Sequence, residues 1–248
     1  AAIDSDLAWR FRQSPAAMTA AALLLVMVVC AIAAPLIAPH TPFDPASLNL
    51  MDSRLPPAWV EGGMLTYPLG TDEQGRDVLS TIFHGMRISI TVGVAAVCLS
   101  VVIGVTLGLV AGWCGGWIDA AIMRLGDVQL SFPTIMIAFF IDGVAKAMMP
   151  PDLREMTRFY VVIFAIGIAD WVQFARTVRA ATMIEKNKDY AAAAKLSRVS
   201  GLKILFAHVL PNTLGPVIIL ATLGLGVAIL TEAILSFLGL GMPPTQPS

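Results

Sequence analysis

Ile88–Ala111 reads ISITVGVAAVCLSVVIGVTLGLVA and carries no charge. A helix needs about 20 predominantly apolar residues to cross a hydrocarbon core roughly 30 Å thick. A surface helix of a soluble protein would show a polar face over that length, so this stretch is a membrane span. Gly104 and Gly108 within it, and Gly112 just beyond, recur at every fourth residue. Glycine at that interval strips side chains from one face and lets a second helix approach closely. A packing seam is expected there, and a seam that moves fits the same pattern.

Other runs repeat the signal. Ser14–Pro39 is uncharged and follows Arg10 and Arg12. Basic residues ahead of an apolar run, with Ala31 and Ala33 in it, also fit a signal peptide. The run exceeds the roughly 7–15 residues of a signal core and further spans follow, so an uncleaved helix with a cytoplasmic N-terminus is expected. Trp117–Ile141 holds Asp119, Arg124 and Asp127 early on and Pro133 later. It predicts a short interfacial helix leading into a third span, with Arg124 and Asp127 spaced for a same-face pair. Asp142–Arg158, with adjacent Pro150 and Pro151, is expected as a polar outer loop. Phe159–Ala175 and Thr213–Leu230 are the fourth and fifth spans, the last ended by Glu232. The fold class is therefore all-α, a polytopic transmembrane helical bundle in a lipid bilayer. Composition agrees: 57% of residues are hydrophobic and 13% charged, against about 25% charged in soluble domains. Mean hydropathy is +0.78. No run of basic residues with interleaved aromatics suggests nucleic acid.

Two polar segments interrupt the spans. Glu185–Asn212, EKNKDYAAAAKLSRVSGLKILFAHVLPN, contains Lys186, Lys188, Lys195, Arg198 and Lys203, with Arg176 and Arg179 just before it. In the sequence only Glu185 and Asp189 oppose them. Leu202, Leu205, Phe206, Val209 and Leu210 have the i, i+3, i+4, i+7, i+8 spacing of one helix face, and Pro211 is expected to stop that helix. A basic loop with a short amphipathic helix suits docking to a cytoplasmic partner. It equally suits a loop that only fixes topology by its positive charge. The other segment, residues 41–85, is rich in proline and acid and poor in base, which suits the outer side. Within it lies LGTDEQGRDVLS, Leu69–Ser80. Gly70 and Gly75 permit tight turns, and Asp77 can cap a helix running into the next span. Its acids do not follow the twelve-residue calcium loop. The segment divides the chain into residues 1–40, a tail and first span; 41–85, extracytoplasmic; and 86–248, a core with its loop at about 180–212.

Asp170 and Gln173 lie inside the fourth span. A charge at that depth is costly and should face the bundle interior or water, so Asp170, with Glu232 at the end of its span, is a pathway candidate. A partner on another helix or subunit is the competing role. The chain contains no G-x-x-x-x-G-K-[ST] loop for ATP phosphates, no G-x-S-x-G elbow and no H-E-x-x-H, so no enzyme is expected. Cys30, Cys98 and Cys114 and the three histidines have no metal spacing. The thiols are expected to be buried and inert, with no metal or cofactor.

LGTDEQGRDVLS, continued by Gly85, Arg87, Ile88 and Ser89, resembles the LGTDxxGRDxxSxxxxGxRxS signature of permease subunits of bacterial ABC importers for di- and oligopeptides, of the dipeptide permease C type. Gly70, Thr71, Asp72, Gly75, Arg76, Asp77 and Ser80 carry it. The basic loop resembles the permease coupling loop: Ala192, Ala193 and Ala194 take the E-A-A places, and Leu210 and Pro211 close the match. SFPT at Ser131–Thr134 and EAILSFLGLGMPPTQPS from Glu232 also read like this family. Two residues depart from it. Ala192 replaces the family's Glu and Arg198 its Gly, so the turn between the coupling helices is expected to use Gly201 instead.

The resemblance implies the type I permease fold in the bacterial inner membrane, and a sixth span after the point where this chain ends, as if truncated. It implies a second permease, two cytoplasmic ATPases that bind the ATP and magnesium, and a periplasmic binding protein. Lys186, Asp189, Tyr190, Ala192–Ala194, Lys195, Arg198, Gly201, Leu210 and Pro211 would then couple the chain to an ATPase. The apolar face would pack on the permease core or on the ATPase. Peptides are the family's commonest cargo, and related permeases carry nickel, glutathione or opine-like compounds. An ion-coupled secondary transporter, or a membrane subunit without a path, is the alternative from the residues alone.

Overall fold

The computed structural model describes residues 9, 11–42 and 50–240, except the side chains of 50, 151, 152, 154–156 and 195. The expected features in 1–8, 10, 43–49 and 241–248 lie outside that range. Among the described residues the chain is helical, with one isolated antiparallel bridge between Thr71 and Asp77. The helices are α1 (Pro15–Ile37), α2 (Val78–Cys114), α3 (Gly116–Leu130), α4 (Thr134–Met148), α5 (Pro151–Glu185), α6 (Asp189–Leu196), α7 (Gly201–Ile204) and α8 (Leu210–Phe237). Four candidate spans are Pro15–Ile37, Val78–Cys114, Thr157–Glu185 and Gly201–Phe237, and α3 with α4 makes a fifth, bent by 92°. Five spans were the expectation. The chain forms two compact units, Ala1–Ile90 with Pro244–Ser248, and Thr91–Pro243.

In the first unit, α1 starts at Ser14, whose hydroxyl accepts the N–H of Ala17 with Pro15 in the opening turn. Of the segment after it, residues 50–77 are tied by hydrogen bonds such as the Arg54 N–H to the Asp72 carbonyl at 3.0 Å. In the second unit the glycine seam is built as expected. A Cβ on Gly104 would lie 2.6 Å from the Trp171 carbonyl oxygen, one on Gly108 2.6 Å from that of Ala175, and one on Gly112 2.8 Å from that of Arg179. α2 therefore lies directly on the backbone of α5.

Several expectations fail, each for a local reason. Asp142–Arg158 is helical apart from Met149 and Pro150. Pro151 sits in the first turn of α5, where its missing N–H costs nothing and its fixed φ favours the helix. Asp142 pairs with Lys146 one turn on, at 2.6 Å. Pro211 does not stop the helix, because Leu205–Val209 form a π turn in which the Leu210 N–H reaches back to the Leu205 carbonyl. The wide turn places Pro211 in the opening turn of α8, where a proline is tolerated. The turn also shifts the apolar face. Ile204, Leu205 and Val209 are buried and Leu210 half-buried, while Leu202 and Phe206 are 69% and 58% exposed. Glu232 does not end its span either; it lies within α8 and is fully buried. Cys98 and Cys114 are exposed, which a lipid-facing helix tolerates because lipid is as apolar as a protein core.

Candidate functional site

The signature at Leu69–Ser80 is a hydrogen-bonded turn that launches α2. Gly70 has φ +81° and Gly75 φ +77°, conformations that glycine adopts freely. A Cβ on Gly70 would also strike the Leu55 carbonyl at 2.3 Å. Thr71 accepts the Leu55 N–H at 2.8 Å and donates to the Asp52 carbonyl. Asp72 accepts the N–H groups of Gln74 and Arg76 at 2.8 and 2.9 Å and the Arg76 guanidinium at 2.7 Å. Burial pushes the Asp72 carboxyl up, but these donors outweigh it and hold it below the usual carboxylate range. Asp77 caps α2 as expected, accepting the N–H groups of Leu79 and Ser80. Ser80 in turn accepts the N–H of His40, just beyond α1. These residues therefore tie the start of one span to the end of another.

The basic loop closes on the second unit's core. α6 ends in a Schellman turn: the Val199 N–H bonds the Ala194 carbonyl, and Arg198 occupies the left-handed position at φ +57°. The turn therefore uses Arg198 itself and not Gly201, which opens α7 after Ser200. Ala191, Ile204, Leu205 and Val209 pack with Leu109, Phe174 and Val178, flanked by Ala194, Val199 and Leu210. Of the expected apolar face, Leu205, Val209 and Leu210 thus belong to this core, and Leu202 and Phe206 do not. Glu185 accepts from Lys188 and from the Tyr190 hydroxyl, both at 2.7 Å. Burial and that bond to a carboxylate raise the Tyr190 phenol above its ordinary value. Lys186 donates to the Gly112 carbonyl at 2.6 Å, neutralising the end of α2.

The outer face of the loop is different. Ala192, Ala193, Arg198, Gly201 and Lys203 are exposed, and so are Leu196 (86%), Leu202 and Phe206. Asp189 lies in the first turn of α6, and the Lys195 side chain is outside the described part. The residues that sequence reasoning missed here are Leu196, and the assignment of Leu202 and Phe206 to the outside. The π turn accounts for Phe206, and no spacing in the sequence marks Leu202.

Arg176 and Arg179 do not add to a free basic patch. Arg176 pairs with Asp127 at 2.6 Å, and Arg179 makes a two-pronged pair with Asp119. Asp127 is thus taken by Arg176 rather than by Arg124. Gln129 completes the clamp, accepting from the Trp171 indole at 2.6 Å and donating to the Ala169 carbonyl at 2.9 Å. No spacing in the sequence marks contacts that span 40 to 60 residues.

Asp170 lies beside that clamp but outside it. It lines a recess of about 120 Å³ with Ser100, Gln173, Phe174, Leu220 and Gly224. Glu232 does not share the recess; it accepts from Ser236 at 2.7 Å. Among the described residues no group of His, Cys, Asp and Glu could hold a metal ion.

Residues 104–248 match the family described as the inner membrane component of binding-protein-dependent transport systems, and residues 5–57 match the N-terminal transmembrane domain of oligopeptide transport permease C. The chain is 39% identical to the dipeptide transport system permease protein of Haemophilus influenzae, over 96% of this chain and 76% of that protein. It is 32% identical to the oligopeptide transport system permease protein of Bacillus subtilis, over 96% and 72%. It is 38% identical to the glutathione transport system permease protein of Shigella flexneri, over 96% and 73%. These matches cover the apolar helical spans described above, and this chain belongs to the family of inner-membrane permease components of binding-protein-dependent ABC transport systems, in its dipeptide and oligopeptide branch.

Proposed function

We propose that the chain is the permease subunit of an ATP-driven importer of short peptides, forming half of the translocation path. It assembles with a second permease, two cytoplasmic ATPases that bind ATP and magnesium, and a periplasmic binding protein. Its N-terminus and its loop at about 180–212 face the bacterial cytoplasm, and the segment 41–85 faces outward toward the binding protein. The two-faced loop carries this reading. Its inner face is packed on the core, and its outer face offers Leu196, Leu202, Phe206, Arg198 and Lys203 beside the small Ala192 and Ala193. Small residues let a partner surface approach, exposed leucines and phenylalanine supply buried area, and the cations orient it. The loop joins α5 directly, and Lys186, Arg179 and Arg176 fasten that end of α5 to α2 and α3. A push on the loop is then delivered to three helices as one body, which rigid-body coupling needs.

The test is isolation of the tagged chain from detergent-solubilised native membranes, with co-purifying chains identified by mass. Two ATPases and a second permease are expected. Leu202→Asp should cost about 2 kcal/mol or more at the contact, roughly thirtyfold in affinity. The variant should then insert normally but lose the ATPases and peptide uptake. Purification of the wild-type chain alone, or an Asp variant with full uptake, would sink the reading.

A further inference from the structure

Asp170 has no place in the coupling loop or in the clamp. At a rise of about 1.5 Å per residue it lies about 20 Å along α5 from Thr157 and about 22 Å from Glu185, so near the middle of a span. The charged groups closest to it in sequence are committed elsewhere: Arg176 to Asp127 and Arg179 to Asp119. No ion pair of Asp170 occurs among the described residues. Apart from Ser100 and Gln173, its recess is walled by apolar residues, Phe174, Leu220 and Gly224 among them. A carboxylate in such surroundings calls for a cation.

The polar lining narrows what that cation can be. Ser100 is within bonding distance of the Gly167 and Ala96 carbonyls at 2.8 and 3.1 Å. Its single hydrogen is used there, so its oxygen is left to accept. Gln173 is exposed on the same helix face and adds a second neutral acceptor. One carboxylate and two neutral acceptors match the three N–H bonds of a primary ammonium. The volume, about 120 Å³, approaches the roughly 150 Å³ of a cavity that holds one benzene. It therefore suits the end of a solute rather than a whole peptide. The solutes in the relatives' names, dipeptides, oligopeptides and glutathione, all carry a free α-ammonium group.

We infer that the recess is a transit site for the α-ammonium end of the imported peptide, with Asp170 as counter-ion and Ser100 and Gln173 as neutral acceptors. The inference rests on the importer reading above. A cation on the second permease is the rival occupant, and the experiment separates the two.

The complete transporter is reconstituted in liposomes of bacterial phospholipid with its binding protein, and uptake of labelled Ala-Ala is measured beside ATP hydrolysis. Asp170→Asn is expected to lower uptake at least tenfold while the subunits stay together and the binding protein still stimulates ATP hydrolysis. Asp170→Glu should recover most of the uptake, a rescue that a space-filling role would not produce. In Leu223→Cys, a lining residue that makes none of the proposed bonds, with Cys30, Cys98 and Cys114 replaced by serine, modification by aminoethyl methanethiosulfonate should slow when Ala-Ala is supplied during turnover. Wild-type uptake by Asp170→Asn, or modification indifferent to Ala-Ala, overturns the transit site. Loss of the second permease from the Asp170→Asn complex overturns it in favour of an intersubunit ion pair. A wild-type complex that hydrolyses no ATP and accumulates no Ala-Ala refutes the importer reading itself.

Discussion

Arg198 holds φ +57°, a backbone conformation that costs an L-residue roughly 1–2 kcal/mol relative to the right-handed helix. The chain accepts the cost because the Schellman turn closes there. The Val199 N–H reaches the Ala194 carbonyl at 3.1 Å, and both side chains pack against the core. Arg198→Gly should remove that cost, less the extra freedom glycine gains in the unfolded chain, for a net local gain of about 0.5–1 kcal/mol. Hydrogen exchange at the Val199 amide reads it as a roughly two- to fivefold slowing; unchanged exchange would mean that the turn carries no strain. The place of this turn was legible in the sequence, since the coupling pattern puts glycine at position 198. Its chemistry was not, because the nearby Gly201 offered an easier left-handed residue. Gly201 instead opens α7, and a helix's first turn needs an ordinary negative φ. Asp77 was legible outright, because a cap is a local contact: its acceptors lie two and three residues from their donors.

At the scale of elements, the contact between α2 and α5 depends on what is missing from Gly104, Gly108 and Gly112. Gly108→Val puts its first carbon 2.6 Å from the Ala175 carbonyl oxygen and 2.9 Å from the Val178 side chain. Both belong to the helix opposite, so the helices must part. Overpacking of this kind costs about 1–3 kcal/mol and sometimes more. Gly108→Val should therefore lower the yield of monodisperse protein and its melting temperature, with Gly108→Ala between it and wild type. Equal melting of all three would show that the seam is not close-packed. The seam was readable because a four-residue glycine repeat has few other uses in a span. The ends of the helices were harder to read. Asp142–Arg158 is polar enough to pass for a loop, yet Asp142–Met148 complete α4 and Pro151 begins α5, which carries the rest into the next span. Leu202–Leu210 has α-helical spacing, yet the i→i+5 bonds of Leu205–Val209 turn Phe206 outward and bury Ile204. Apolar spacing reports a register only when the hydrogen-bond pattern stays constant, and a π turn changes it.

At the scale of the whole molecule, the Thr91–Pro243 unit strings its candidate features along one helix. α5 carries Asp170 in its middle, Arg176 and Arg179 a turn or more later, and Glu185 at the start of the coupling loop. A displacement of the loop is delivered to the recess when this half of α5 moves as a rigid rod with α3. The Asp119–Arg179 pair is the strongest candidate for that fastening, because both oxygens of the carboxylate meet the guanidinium and Asp119 is only 14% exposed. A two-pronged, partly buried pair resists rotation as well as separation. Its members lie 60 residues apart, so nothing in the sequence announced it; Arg179 looked like part of a free basic patch. Asp119→Asn should cost about 1–3 kcal/mol by leaving the guanidinium half-paired. In the reconstituted transporter it should lower peptide uptake several-fold per ATP hydrolysed, since the ATPases would still turn over while α5 yields. Asp119→Arg combined with Arg179→Asp restores opposite charges across the same gap, so it should recover part of the coupling that either single change loses. Recovery by the exchange would assign the effect to the contact between α3 and α5 rather than to either residue alone. If Asp119→Asn keeps the wild-type ratio of uptake to hydrolysis, the clamp is a stabilising contact only, and force must reach the recess through the glycine seam between α2 and α5.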